Sequence, residues 1–247
     1  MALVLEAPEV AASVRPGQFV MLTAARAGES APALPRPMAI YSRDQGAGTV
    51  EILYGVVGAG TERLRSFNPG EQIYTVGPLG RGFEVAPDVQ TVLLVGRGIG
   101  TCSLTTVAQE NAERGRDTIA VTSARNSGAL IGVDFYRKHG AATVHAVTDD
   151  DGTSAPAALI ASLTEQHDEK PPQLILTCGS DRLTRLCQTL SERWEAPMQV
   201  SVEAHMACGL GYCHGCASGA RSQGNESPLI CADGPAFAWR ILAETDA

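Results

Sequence analysis

The chain has 247 residues, 44% of them hydrophobic and 19% charged. That composition excludes wholesale disorder and fibrous repeats, and at about 150 residues per domain the length predicts one to two large domains or three smaller ones. Lys plus Arg number 19 against 27 Asp plus Glu, and the formal charge of −8 with no basic cluster disfavours a nucleic-acid partner.

The N-terminus, Met1-Ala-Leu-Val-Leu-Glu-Ala-Pro, has no basic or long apolar signal region, so a cytoplasmic location is expected. Short apolar, β-branched runs follow between Gly and Pro punctuation: Leu3 to Glu6, Gln18 to Thr23, Thr49 to Val57 and Gln72 to Val76. They predict a small antiparallel barrel, with a helix over Glu62 to Phe67. At Thr91 the texture changes to a continuous apolar strand, a glycine turn and a helix over Cys102 to Arg114. Further strands at Thr118 to Thr122, Thr143 to Val147 and Gln173 to Thr177 alternate with helices over Ala157 to Gln166 and Asp181 to Arg193, the pattern of a parallel α/β sheet. No apolar run approaches the roughly 20 residues of a membrane-spanning helix. Beyond Ser201 the chain is rich in Gly and Cys and too irregular for a core of its own, so something else must hold it together.

The cysteines carry the most specific signal. Of seven, four lie beyond residue 207, as Cys208-Gly-Leu-Gly-Tyr-Cys213-His-Gly-Cys216 and, after a gap of fourteen residues, Cys231. This is the C-x4-C-x2-C…C spacing of plant-type [2Fe-2S] clusters. Gly209, Gly211 and Gly215 let the loop wrap tightly and aim backbone N–H groups at sulfur. A zinc site, the alternative, favours two C-x2-C pairs, and only one is present. His205 and His214 are read as surface or supporting residues. Cys102, Cys178 and Cys187 are read as small buried apolar groups, with Cys178 at the ligand-binding edge of the sheet.

Gly96-Arg-Gly98-Ile-Gly100 lets a pyrophosphate approach backbone amides, although the next strand ends in Ser123-Ala-Arg125 rather than an acidic residue. Arg125 leaves a 2′-phosphate contact open, so NAD and NADP are not separated. In the barrel, Arg36 precedes the Pro-stiffened segment Pro37-Met38-Ala39, and Gly58-Ala-Gly60-Thr61 precedes a helix. These can pair with phosphate and form an anion nest.

Over nearly its whole length the chain resembles the electron-transfer subunits of class 1B dihydroorotate dehydrogenases, in the ferredoxin reductase superfamily. The resemblance rests on Pro16-Gly-Gln-Phe-Val20, Arg36-Pro-Met-Ala-Ile40, Gly58-Ala-Gly-Thr61, Gly77 to Phe83, Thr148-Asp-Asp150, Glu203 to Cys216 and Cys231-Ala-Asp-Gly-Pro235. It implies that Arg36, Pro37, Met38, Ala39, Leu53, Tyr54, Gly55, Gly60 and Thr61 hold FAD, that Gly96, Gly98 and Gly100 face NAD(P), and that Cys208, Cys213, Cys216 and Cys231 bind the cluster. The family usually has a hydroxyl residue where Ala39 stands and a glycine where Arg97 stands, and the aspartate at 151 is an addition.

The expected architecture is multidomain: an antiparallel FAD-binding β-barrel over 1–87, a parallel α/β NAD(P)-binding domain over 88–200 and a small C-terminal [2Fe-2S] domain over 201–247. Nicotinamide exchanges electrons in pairs and the cluster singly, so the flavin must stand between them. No catalytic acid, base or nucleophile is named, because the cofactors carry the chemistry. The partner implied is a dihydroorotate dehydrogenase-like flavoprotein catalytic subunit in a hetero-oligomer, docked through the cluster segment. The alternatives are a reductase subunit of the same superfamily serving another flavoenzyme or ferredoxin, and a zinc-stabilised non-enzymatic binding module.

Overall fold

The computed structural model describes residues 1–219 and 227–240. Its first third runs β1 (Ala2–Glu6), α1 (Pro8–Ser13), β2 (Phe19–Leu22), β3 (Arg36–Ala39), β4 (Ser42–Asp44), β5 (Thr49–Leu53), α2 (Ala59–Arg65) and β6 (Thr75–Leu79). The strands make two three-stranded antiparallel sheets, in the orders β1-β5-β4 and β3-β2-β6. Val50 and Ile52 alternate inward from β5 and meet Val20, Leu22, Met38 and Ile40 of the facing sheet, with Val10 of α1 and Leu64 of α2 closing the core. The last strand begins later than its apolar run predicts, at Thr75 rather than Gln72, and the helix earlier, at Ala59 rather than Glu62.

The middle of the chain alternates β7 (Thr91–Arg97), α3 (Cys102–Glu113), β8 (Asp117–Ala124), α4 (Val133–Lys138), β9 (Thr143–Thr148), α5 (Pro156–His167), β10 (Leu174–Cys178), α6 (Asp181–Trp194) and β11 (Met198–Ser201). The sheet order is β11-β10-β7-β8-β9, all parallel. Its strands are apolar without interruption because both faces are covered. Leu93, Val95, Val121 and Ile175 point toward α5 and α6, while Val92, Leu94, Ala120 and Leu176 point toward α3 and α4.

A sixth strand departs from the expected all-parallel sheet. β12 (Ala236–Ala238), contributed by the C-terminal segment, pairs antiparallel with β11. The segment also answers the question of what holds it. Ile230, Cys216, Cys231 and Phe237 bury themselves against Phe19 and Met21, the outward side chains of β2. Arg81 and Gly234 add a backbone hydrogen bond between the two parts.

α3 fastens the α/β body to the first two sheets. Thr105 donates to the carbonyl of Tyr41 (2.6 Å), and Gln109 donates to that of Arg43 (2.6 Å). Arg43, its side chain 11% exposed, donates to Val14 O (2.6 Å) and pairs with Glu113 (3.2 Å). Among the described residues no helix is long and apolar enough to cross a membrane.

His145 on β9 and His167 at the end of α5 stand edge to face, ring centroids 6.1 Å apart, with both Nε2 atoms buried and unbonded. Burial lowers both pKa values, and for His145 the neighbouring ring adds to the effect. A depressed folded pKa means that protonation favours the unfolded chain. The stability is therefore present above the ordinary histidine pKa of about 6.5 and is lost as pH falls through the folded value. Thermal melts should lose stability between about pH 7 and 5, and the His145→Leu/His167→Leu variant should flatten that slope except for the share of His139, whose pKa is also lowered. An unchanged slope would show that the pair stays unstrained when protonated.

Candidate functional site

A cavity of about 310 Å³ lies where the three parts of the chain meet. From the first part come Arg36, Pro37, Met38 and Ala39 of β3, Leu53, Tyr54 and Gly55 at the end of β5, and Thr61 of α2. Every residue expected to hold the flavin except Gly60 thus lines one cavity. Gly60 lies beneath it, where any Cβ would overlap the Arg36 guanidinium. The glycine leaves room for the arginine to lie against the first turn of α2.

Arg36 donates to the carbonyls of Leu34 (2.7 Å) and Pro35 (3.3 Å), and among the described residues no carboxylate pairs with it. Thr61 Oγ1 accepts from the N–H groups of Val57 (2.9 Å) and Gly58 (3.2 Å), which fixes the bend into α2. The expected nest is therefore partly occupied by the protein's own hydroxyl. Ala39 presents only a methyl group, so at that position nothing but backbone is available as a polar partner.

The other walls were missed from the sequence. Ile99 within the glycine turn and Cys102 and Ser103 just after it line the cavity from the α/β body, and Val202, Glu203, Ala204 and Met206 line it from the C-terminal segment. Cys102 was read as core packing; it is 1% exposed and its thiol is pushed up to about 12 by burial, yet it borders the cavity. Only the pairing of three distant segments reveals this. Cys178 and Cys187 are fully buried, as expected.

The glycines of the turn do not line this cavity. Gly96 and Gly100 serve close packing, since a Cβ would lie 2.7 Å from Thr101 Oγ1 at the first and 2.9 Å from Cys178 O at the second. Gly98 has φ +53 with open space beside it. The turn leads through a 3-10 stretch, Gly98–Thr101, into α3.

Behind the cavity wall lie the four thiols. Gly209 and Gly211 adopt left-handed φ of +71° and +78°, and Gly209 lets the loop settle onto Met21 and Leu79 of the β3-β2-β6 sheet. Backbone amides then aim at sulfur: Leu210 N–H at Cys208 Sγ (3.4 Å), Gly211 N–H at Cys231 Sγ (3.2 Å) and Cys231 N–H at Cys216 Sγ (3.4 Å). The Cys213 thiol acts on that of Cys208 and the Cys216 thiol on that of Cys231, so the four group as two neighbouring pairs. Cys216 and Cys231 are buried, whereas Cys213 is exposed on the same loop as Leu210 and Tyr212. Among the described residues no three His, Cys, Asp or Glu side chains are placed to hold a single metal ion; the thiols stand instead as two pairs. His205 and His214 are both exposed.

Backbone N–H groups of Leu210 and Cys213 pull the Cys208 thiol down to about 6, and burial pushes Cys231 up to about 11. In metal-free protein at pH 7, iodoacetamide should therefore alkylate Cys208 well ahead of Cys231, Cys102 and Cys178, as read by peptide mass spectrometry. Equal labelling would contradict the amide-stabilised thiolate.

The family model for the iron-sulfur cluster binding domain of dihydroorotate dehydrogenase B matches residues 203–242. The electron transfer subunit of dihydroorotate dehydrogenase B (NAD(+)) from Listeria monocytogenes is 33% identical over 231 residues, covering 93% of this chain and 87% of that protein. Its counterpart from Desulforamulus reducens is 30% identical over 243 residues, covering 97% and 91%. Among solved structures, the NADH-dependent reduced ferredoxin-NADP oxidoreductase superposes with a TM-score of 0.76 at 23% identity, over 99% of this chain and 87% of that one. The ferredoxin reductase in carbazole 1,9a-dioxygenase superposes with a TM-score of 0.56 at 17% identity, over 73% and 57%. At these identities the two structures show the fold alone, a ferredoxin-reductase-like one.

Proposed function

The chain belongs to the family of electron-transfer subunits of NAD-dependent dihydroorotate dehydrogenase B, and from that premise we propose that it passes electrons between a catalytic flavoprotein subunit and NAD through a [2Fe-2S] cluster and FAD. The observation that carries this reading is one of placement: a single cavity gathers the residues expected at the flavin, and Phe19 and Met206 of its wall also belong to the apolar cluster that seats the thiols.

In this reading the two antiparallel sheets are the flavin-binding barrel and 201–247 is the cluster unit, whose Cys216, Ile230, Cys231 and Phe237 lean on the barrel for their core. When bound, FAD accepts electrons in pairs and releases them singly, and the cluster carries one at a time. Arg36, free of any carboxylate partner among the described residues, holds a phosphate with its guanidinium fork, and Gly60 gives that fork its seat. Tyr54, Met38 and Phe19, buried in the cavity wall, would exclude water from a bound flavin. Gly98 keeps the nucleotide turn open for a pyrophosphate.

The two thiol pairs, Cys208 with Cys213 and Cys216 with Cys231, would together hold a two-metal core that carries single electrons. The three amides aimed at sulfur stabilise negative charge there and tune the potential. The exposed half of the loop, with Leu210 61% and Tyr212 89% exposed, offers the partner a mostly apolar face.

Arg36→Ala should lower FAD retention without unfolding the chain, read as flavin-to-protein ratio alongside a thermal melt. Retention equal to wild type would remove Arg36 from the flavin site. The reading as a whole is tested by co-expression with a dihydroorotate-oxidising flavoprotein, co-purification, and anaerobic reduction of the partner's flavin by NADH. Cys213→Ser should abolish both the cluster's absorbance and that reduction. Dihydroorotate oxidation by the isolated chain, or stoichiometric zinc in anaerobically purified protein, would overturn it.

A further inference from the structure

Arg97 ends β7 where the resemblance has a glycine, and its side chain crosses the carboxyl end of β8 to reach the loop after β9. Neighbouring strands lie about 4.8 Å apart, so the guanidinium spans two of them. It donates to Ser123 Oγ (2.8 Å) and grips Asp149 with both nitrogens, at 3.2 and 2.6 Å. Arg182, in the first turn of α6, reaches the same carboxylate at 3.2 Å, and the Ser154 hydroxyl donates to it as well. The Asp149 amide is itself held by the carbonyls of Ala124 and Arg125 at the end of β8, both at 3.1 Å. Two arginines and a serine thus form a cradle for one anion, and that anion is the protein's own carboxylate. Their hydrogen bonds hold Asp149 well below the ordinary carboxylate pKa range, so it is charged at neutral pH.

The place matters as much as the chemistry. In an open α/β sheet a dinucleotide crosses the carboxyl ends of the strands, its pyrophosphate at the turn after the first strand and the 2′ edge of its adenosine ribose at the end of the next. Here these are the turn at Gly98 and the end of β8 at Ser123. The cradle therefore lies at the ribose 2′ position, where an arginine without a counter-ion would favour a 2′-phosphate.

We propose that Asp149 is the specificity-determining residue of the nucleotide site: it occupies the Arg97, Arg182 and Ser154 cradle as a built-in counter-ion and so excludes 2′-phosphorylated nucleotides in favour of NAD. The inference rests on reading Gly96–Gly100 as the nucleotide turn and adds which residue makes that site select NAD, and why. A dianionic 2′-phosphate meets the cradle's donors already engaged, with Asp150 and Asp151 following in the same loop and Asp181 opening α6, and these carboxylates are set against the exposed Arg125 just past β8. A free ribose hydroxyl suffers no such repulsion, and discrimination comes from an unfavourable contact with the wrong ligand.

The test uses the full chain carrying its flavin, with 5′-AMP and 2′,5′-ADP as calorimetric probes that differ only in the 2′-phosphate. The wild type should bind 5′-AMP more tightly. Asp149→Asn, which keeps the shape and removes the charge, should strengthen 2′,5′-ADP binding by about tenfold or more, with 5′-AMP changing by less than about threefold. Asp149→Ser, checked by thermal melt for folding, should show the same preference, and adding Arg97→Gly to Asp149→Asn should erase the gain. An equal change for both probes, or no gain in either folded variant, overturns the proposal while leaving the nucleotide site standing. Failure of the wild type to bind 5′-AMP or NADH at all overturns the nucleotide-turn reading and this proposal with it.

Discussion

Strand β2 is buried on both faces, and the placement of the proposed flavin cavity and of the thiol loop depends on it. Phe19, Val20, Met21 and Leu22 are 4% exposed or less, and each fully buried apolar side chain contributes about 1.5–3 kcal/mol. Val20 and Leu22 point into the core shared with the β1-β5-β4 sheet, whereas Phe19 and Met21 point out into the C-terminal segment. Because strand side chains alternate, the same four residues fix the body that bears the proposed flavin cavity and the seat of the thiol loop. A register slip of one residue would exchange the two faces, and the continuous antiparallel pairing with β3 resists it.

Charge is arranged with comparable economy. Most arginines are matched: Arg26 with Glu71, Arg193 with Asp168 and Arg43 with Glu113. Exposed pairs of this kind contribute little, but the Arg43 side chain is nearly buried between the two bodies and also donates to Val14 O, so its pairing fixes their docking. Against this background Arg36 and Arg97 form a contrast. One bonds only carbonyls beside a cavity, and the other is locked to a carboxylate. The same fork is thereby left available for an anion at one site and withheld at the other.

The sequence made the α/β alternation legible because strands buried on both faces appear as uninterrupted apolar runs and α3, α5 and α6 run for 12, 12 and 14 residues, whereas the six-residue α4 left no signal. The cysteine spacing was equally plain, since converging thiolates need particular intervals and small residues between them. What escaped was whatever depends on contacts between distant segments. β12 is three residues long and has no periodicity to detect; it exists because β11 offers an unpaired edge. β6 begins at Thr75 rather than Gln72 because its pairing with β2, not its apolar run, sets its start. Cys102, Ser103 and Met206 carry no local signal that they border a cavity shared with β3. Arg97 stood out in the sequence only as a departure, and its meaning required the partner fifty residues away.

The C-terminal segment shows how so irregular a stretch can still fix four sulfurs. Its inner pair, Cys216 and Cys231, is positioned by packing: both are buried in the cluster anchored on Phe19 and Met21, and the Cys231 amide already points at Cys216. Its outer pair is positioned by backbone conformation, because Gly209 and Gly211 in left-handed geometry turn the amides of Leu210 and Gly211 inward while Cys213 stays exposed. A side chain at Gly209 would push on Met21, so even the glycine-determined half is registered against β2. Metal binding supplies folding energy where a chain cannot build a core of its own. Here the core is borrowed from the neighbouring sheet, and the four sulfurs need only close a loop whose seat is already in place.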